Sequence, residues 1–188
     1  IDIINTFTQQ NINTLLFTGN VESTYTELLK EVTIKKSKSY VKKNIFLKLL
    51  TWSMFCIHLF FFLLCIPNKS KKKLLLVSNP PFNPWIGLFY KKCFNLSYSV
   101  LIYDVYPDIL EHHGYLKSNS VLLKIWKNIN TYTFSHADEI VTISEGMKQA
   151  ITPYAKSKII HIVNCWVDSH YLKPLQKKEN PFAKKHNQ

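Results

Sequence analysis

Apolar residues fall along the chain in two kinds of block. Four short, near-continuous runs, within "KKKLLLVSNPP" (71–81), "SYSVLIYDV" (97–105), "DEIVTIS" (138–144) and "KIIHIVN" (158–164), are bounded by polar residues and too short for helices. They read as strands buried on both faces. Between them lie an aromatic helix, "WIGLFYKKCF" (85–94), and an amphipathic one, "SVLLKIWKNINTYTFSHA" (120–137), with Ser118 or Asn119 as its cap. "EGMKQAIT" opens a further helix after Ser144. Upstream, residues 1–10 suit a helix, "NTLLFTGN" (13–20) a short strand stopped at Gly19, and "EVTIKKSKSY" (31–40) a more exposed strand. Strand and helix in alternation predict an α/β fold: a Rossmann-like three-layer α/β/α domain with a mainly parallel sheet. The strands at 74–78, 99–104, 139–143 and 159–163 are expected side by side.

The polar residues that follow the strands carry the candidate chemistry. "SNPP", "YDVYPD", "SEG" and "NCWVD" each come directly after an apolar run. In parallel sheets ligands bind outside the carboxyl ends of the strands, so all four stretches are expected at one edge. Ser78, Asn79, Asp104, Asp108, Ser144, Glu145, Asn164 and Asp168 are the candidates, with Asp104, Asp108, Ser78, Ser144 and Glu145 in one cleft. Carboxylates there accept hydrogen bonds from hydroxyls, and one can act as a base. Asp108 could equally cap a helix beginning at Ile109, and Asn164 could be a turn residue. His112 and His113 are adjacent and point to different sides of a helix, so they read as rim residues rather than a metal pair. Pro80, Pro81 and Pro84 stiffen a bend in which Phe82 or Trp85 could stack on a sugar or lie on lipid.

Residues 43–66 stand apart. "IFLKLLTWSMFCIHLFFFLLCI" (45–66) is nearly long enough to span a bilayer, but Lys48 and His58 interrupt it and both flanks are basic, so no charge asymmetry orients a span. A helix with one face on a membrane or partner is the leading reading; a core helix, with His58 satisfied inside it, and a true span are the alternatives.

Composition narrows the rest. At 188 residues with 46% hydrophobic content, the chain suits one globular domain, residues 1–172, followed by a polar exit at 173–188. The formal charge is +12, and every basic residue is Lys. Specific nucleic-acid readout leans on the bidentate guanidinium, so nucleic acid is not an expected partner. A diffuse lysine field suits an anionic lipid surface or solubility, and a lysine-rich coding bias produces it as well. Four cysteines lack CxxC spacing, and three lie in apolar runs, which reads as buried free thiols in a reducing compartment. The start at Ile1, without Met or a basic leader, reads as a cut inside a larger protein.

"YDVYPDILEHHGYL", "SHADEIVTISEGMKQAI" and "KIIHIVNCWVD", in that order, resemble the amino-terminal domain of family 4 glycosyltransferases, most closely bacterial enzymes of capsule, exopolysaccharide and O-antigen synthesis. The likeness covers about residues 10–188. It implies half of a GT-B fold: an acceptor-side domain whose partner domain, beyond the linker at 173–188, binds the nucleotide-sugar donor. It also implies that the first strand and its Gly-rich loop are missing, and that the fragment alone is inactive. The transferred sugar is expected to be a hexosyl or N-acetylhexosaminyl group, moved with retention from a nucleotide-sugar to a lipid-linked or polysaccharide acceptor. Neither a metal nor another cofactor is expected. By this resemblance Asp104 and Asp108 are catalytic candidates, while Ser144, Glu145, Asn164 and Asp168 match polar positions around the substrates. The expected location is cytoplasmic, peripheral on the inner face of the cell membrane. A non-catalytic membrane-attached binding module is the alternative.

Overall fold

A computed structural model of the chain describes residues 2–19, 32–37, 45–165 and 175–185. Asp168, the start of the 43–66 segment with Lys42 and Lys43, and much of the 173–188 exit lie outside the described residues. The described elements are α1 (Asp2–Gln9), β1 (Leu15–Thr18), β2 (Thr33–Lys36), α2 (Ile45–Cys65), a 3-10 turn (Lys69–Lys71), β3 (Lys73–Val77), α3 (Asn83–Phe94), β4 (Ser97–Ile102), α4 (Asp108–His112), α5 (Val121–His136), β5 (Glu139–Thr142), α6 (Glu145–Ala155), β6 (Ile160–Ile162) and α7 (Pro181–Lys185).

The four apolar runs form one parallel sheet in the order β3-β4-β5-β6. Val77 stands beside Leu101, and Ile102 beside Thr142, which in turn pairs with Ile162. The α/β, Rossmann-like class with a parallel sheet is therefore as expected. β1 and β2 pair with each other, also in parallel, as a separate two-stranded sheet. That sheet meets the body through Phe17, whose ring stacks on Phe62 at 5.0 Å and meets the edge of Phe55 at 5.3 Å.

Alternation along each strand decides what is buried. Leu76, Val100, Ile140 and Ile160 share one register row and one core, with Tyr98 and Ile102 on neighbouring rows. Helix α3 lies close on this face because residue 87 is glycine. A Cβ there would stand 2.6 Å from Leu76 Cδ1 and 2.8 Å from Tyr98 Cδ2. The Tyr98 hydroxyl crosses beneath α3 and donates to the Thr133 carbonyl of α5 at 2.5 Å. Helix α2 joins the core through Leu59 and Leu63, and its Phe60 carbonyl accepts from the Tyr90 hydroxyl at 2.6 Å. Each such side chain, fully buried, contributes about 1.5–3 kcal/mol of transfer free energy.

Three local expectations are corrected. Cys65, Cys93 and Cys165 are exposed: Cys65 and Cys93 stand on the outer sides of α2 and α3, and Cys165 lies past the end of β6. Only Cys56 turns inward, and burial pushes its thiol up to about 12. His58 is likewise exposed, its Nδ1 2.9 Å from the Ser37 hydroxyl of the segment after β2. Helix α5 begins at Val121 with Ser120 at the N-cap, one residue after Asn119 and two after Ser118.

Candidate functional site

The polar strand ends gather at one edge of the β3–β6 sheet, because all four strands run the same way and end at matching register. At the end of β3, Ser78 is buried, its amide donating to the Leu101 carbonyl at 2.9 Å. Its hydroxyl accepts from the amides of Tyr103 and Asp104, at 3.1 and 3.3 Å. Ser78 thus supports the backbone that carries Asp104. The Asp104 side chain is half-buried, and among the described residues no group donates to its carboxylate.

Asp108, the second carboxylate of the same box, is engaged differently. It is the first residue of α4, with Pro107 at the N-cap, so the capping role is not observed. One oxygen accepts from the Tyr154 hydroxyl at 2.5 Å, and the other lies 3.0 Å from Lys127 Nζ. Lys127 also reaches Glu111 at 2.5 Å. Hydrogen bonding to Lys127, then to Ser118, holds the Glu111 carboxyl below its ordinary range. Lys127 is raised in turn, chiefly by its bond to Glu111. Burial, followed by the bond to Asp108, raises the Tyr154 phenol. Asp108 therefore ties α4 to α5 and α6 with both oxygens occupied, whereas the Asp104 carboxylate has no donor among the described residues.

The remaining candidates sort by role. Ser144 caps α6, its hydroxyl accepting from the Met147 amide at 3.2 Å. Glu145 is exposed in the first turn of α6, where the helix dipole favours a negative charge. Asn79 is exposed between Ser78 and Pro80, and Asn164 is exposed just past β6. The Asn79–Pro80 and Tyr106–Pro107 peptide bonds are cis. His112 and His113 are exposed beside each other, with ring centres 5.6 Å apart. Among the described residues there is no group of three or more His, Cys, Asp and Glu side chains placed to hold a metal ion.

Two buried amides escaped the sequence reading. Asn83 donates to the Val77 carbonyl at 3.2 Å and pins the bend between β3 and α3. Asn130 accepts from the Trp85 indole at 3.0 Å and donates to the Tyr106 carbonyl at 2.6 Å. Asn130 falls on the same helical stripe as Leu123, Trp126 and Thr133, all buried, and a polar residue on an apolar stripe was the available signal. Phe82 is stacked on Trp126 at 5.3 Å rather than standing free for a ligand. Tyr106 also lies parallel to Trp126, at 6.4 Å, and meets the edge of Trp52 at 5.7 Å. The Trp126 indole N–H is buried without an acceptor among the described residues. Lys48 stands 4.6 Å from the centre of the Trp52 ring, and the contact of Trp52 with Tyr106 brings the first half of α2 beside the strand-end edge.

The edge can offer the Asp104 carboxylate on a fixed backbone and the exposed side chains of Asn79, Tyr103, Glu145 and Asn164, groups able to hydrogen-bond a polyhydroxylated ligand. Comparison with protein-family models, with curated proteins and with solved structures finds no match for this chain.

Proposed function

We propose that the chain is the acceptor-side domain of a glycosyltransferase that moves a sugar from a nucleotide-sugar donor to a lipid-linked or polysaccharide acceptor in cell-surface glycan synthesis. The observation that carries this reading is the contrast between Asp104 and Asp108 at one sheet edge. A carboxylate without a donor, on a backbone held by a buried serine, is prepared to receive a hydroxyl hydrogen. Asp104 accepts from the attacking acceptor hydroxyl and takes its proton as the new bond to the anomeric carbon forms. The bond from that carbon to the phosphate oxygen breaks, and the nucleoside diphosphate leaves with the electron pair. Asp108 acts through position only, holding α4 behind the edge.

The test uses the protein carrying this domain, a panel of nucleotide-sugars and a membrane lipid extract as acceptor, with release of nucleoside diphosphate as the readout. Asp104→Asn is expected to lower kcat by about 10²–10⁴-fold while circular dichroism and melting stay as in the wild type. Full activity in that variant removes Asp104 from the site. Saturable acceptor binding with no release from any donor favours the binding-module reading instead.

A further inference from the structure

Charge is divided unevenly along the chain. The 72 residues from Val32 to Tyr103 hold twelve of the 24 lysines and none of the 12 carboxylates. They carry the whole formal charge of +12, while the rest of the chain, twelve lysines against twelve carboxylates, is neutral. This acid-free stretch builds β2, α2, the 3-10 turn, β3, α3 and β4. Two of its lysines are spent on carboxylates from the other half, Lys73 on Glu139 and Lys91 on Asp138. Lys35, Lys36, Lys71, Lys72 and Lys92 are exposed.

The same stretch presents the apolar face of α2. Leu50, Ile57 and Phe61 are 46%, 53% and 60% exposed; Leu64 prolongs their stripe and the exposed Leu49 flanks it. Aromatic contacts carry it onto α3: Phe61 meets Phe60, Phe60 meets Phe89 at 5.1 Å, and Phe89 meets Phe94. Phe89 and Phe94 are also exposed.

We propose that α2 is an interfacial helix that lies flat on an anionic bilayer leaflet, with Leu50, Ile57 and Phe61 among the acyl chains and the surrounding lysines at the headgroup phosphates. Apolar area and a one-signed field together match such a surface. A second copy would bring two acid-free flanks face to face. A span is opposed by packing: Trp52, Leu59 and Leu63 are buried against the domain, and Tyr90 bonds the helix backbone from the side. The docking also fixes an orientation. Trp52, on the face of α2 opposite Leu50, touches Tyr106, two residues beyond Asp104, so a flat α2 holds the strand-end edge one helix diameter, about 10 Å, from the lipid surface. The docking goes beyond the sugar-transfer reading and does not depend on it.

The experiment is co-sedimentation of the protein with vesicles of phosphatidylcholine alone or mixed with phosphatidylglycerol, at low and high salt. Partitioning onto the anionic vesicles at low salt is expected to be at least about tenfold stronger than onto neutral ones, since each lysine near the surface contributes on the order of 1 kcal/mol. Ile57→Ser with Phe61→Ser is expected to lower partitioning about tenfold or more with the circular dichroism spectrum retained. Lys71→Gln with Lys72→Gln, which leaves the apolar face intact, is expected to weaken only the salt-sensitive part. Protein in the supernatant at every composition overturns the proposal, as does equal binding to neutral and anionic vesicles. Self-association without lipid binding, abolished by the serine variant, assigns the face to a second copy. Release from native membranes by detergent alone, and by neither salt nor alkaline wash, makes α2 a span.

Discussion

The acid-free flank and the charge-balanced half of the domain are held together by different means. In the balanced half, Lys127 bridges Asp108 and Glu111, and Tyr154 completes the group. In the flank, with no carboxylate of its own, cohesion comes from burial and neutral hydrogen bonds: Leu59 and Leu63 in the core and the Tyr90 hydroxyl on the Phe60 carbonyl. Lys69 shows the economy of the arrangement, donating to the Leu64 and Ile66 carbonyls at 2.8 and 2.7 Å and so closing the C-terminal end of α2. A region that needs no internal ion pairs can turn its remaining lysines outward.

By that contrast, the largest losses are expected from packing in the flank. Gly87→Val is expected to destabilise by about 1–3 kcal/mol or more, because the added carbons meet the Leu76 methyl and the Tyr98 ring, side chains that are themselves buried in the core and have little room to give way. A urea midpoint unchanged from wild type would show that α3 can lift away, and the packing account of the flank would fail.

Asp138 joins the two halves and tests the seam. Its carboxylate accepts from the Tyr98 amide at 2.7 Å and pairs with Lys91, which also donates to the His136 carbonyl at 2.9 Å. Burial opposes its ionisation, but Lys91 and the Tyr98 amide outweigh that and hold it below the usual carboxylate range. Because the folded pKa is depressed, the stabilisation is fully present above the ordinary aspartate pKa of about 4. It is lost as pH falls through the lower folded value. Asp138→Asn is expected to cost about 1–3 kcal/mol at neutral pH, with the difference from wild type shrinking in acid. A difference that stays constant from neutral pH to below pH 3 would deny Asp138 this role.

The smallest effect is expected inside the balanced half. Lys127→Met breaks contacts that are about one-third exposed, where solvent and salt screen the gain. Its melting shift should be the least of the three variants and should narrow further in high salt. A loss as large as that of Gly87→Val would reverse the comparison.

The sheet was legible in the sequence because its strands are short, continuous and apolar, a pattern that admits few alternatives. The strands expected at 74–78 and 99–104 became β3 at Lys73–Val77 and β4 at Ser97–Ile102, shifted by one and two residues. The edge was legible for the same reason, since strand ends follow from strands. The fate of each polar residue at that edge was not. Asp104 and Asp108 look alike in the chain, and only the approach of Lys127 and Tyr154, 19 and 46 positions after Asp108, separates them. Exposure was misjudged for Cys65, Cys93 and His58, because an apolar run does not reveal which of its sides faces the core. The separate pairing of β1 with β2 also depends on long-range packing that local pattern cannot express.

Asn130 bears on how the domain folds. Its amide is satisfied only when three segments have arrived: α5, which carries it, the Trp85 indole of α3, and the Tyr106 carbonyl beyond β4. A form with α5 docked on one neighbour but not the other would bury a donor or an acceptor without a partner, at a cost of about 1–3 kcal/mol. Incomplete assemblies are therefore penalised while the finished one is not, and the amide works as a coincidence detector for assembly. It couples helices from both halves into one cooperative transition, so the acid-free flank and the balanced half should melt together.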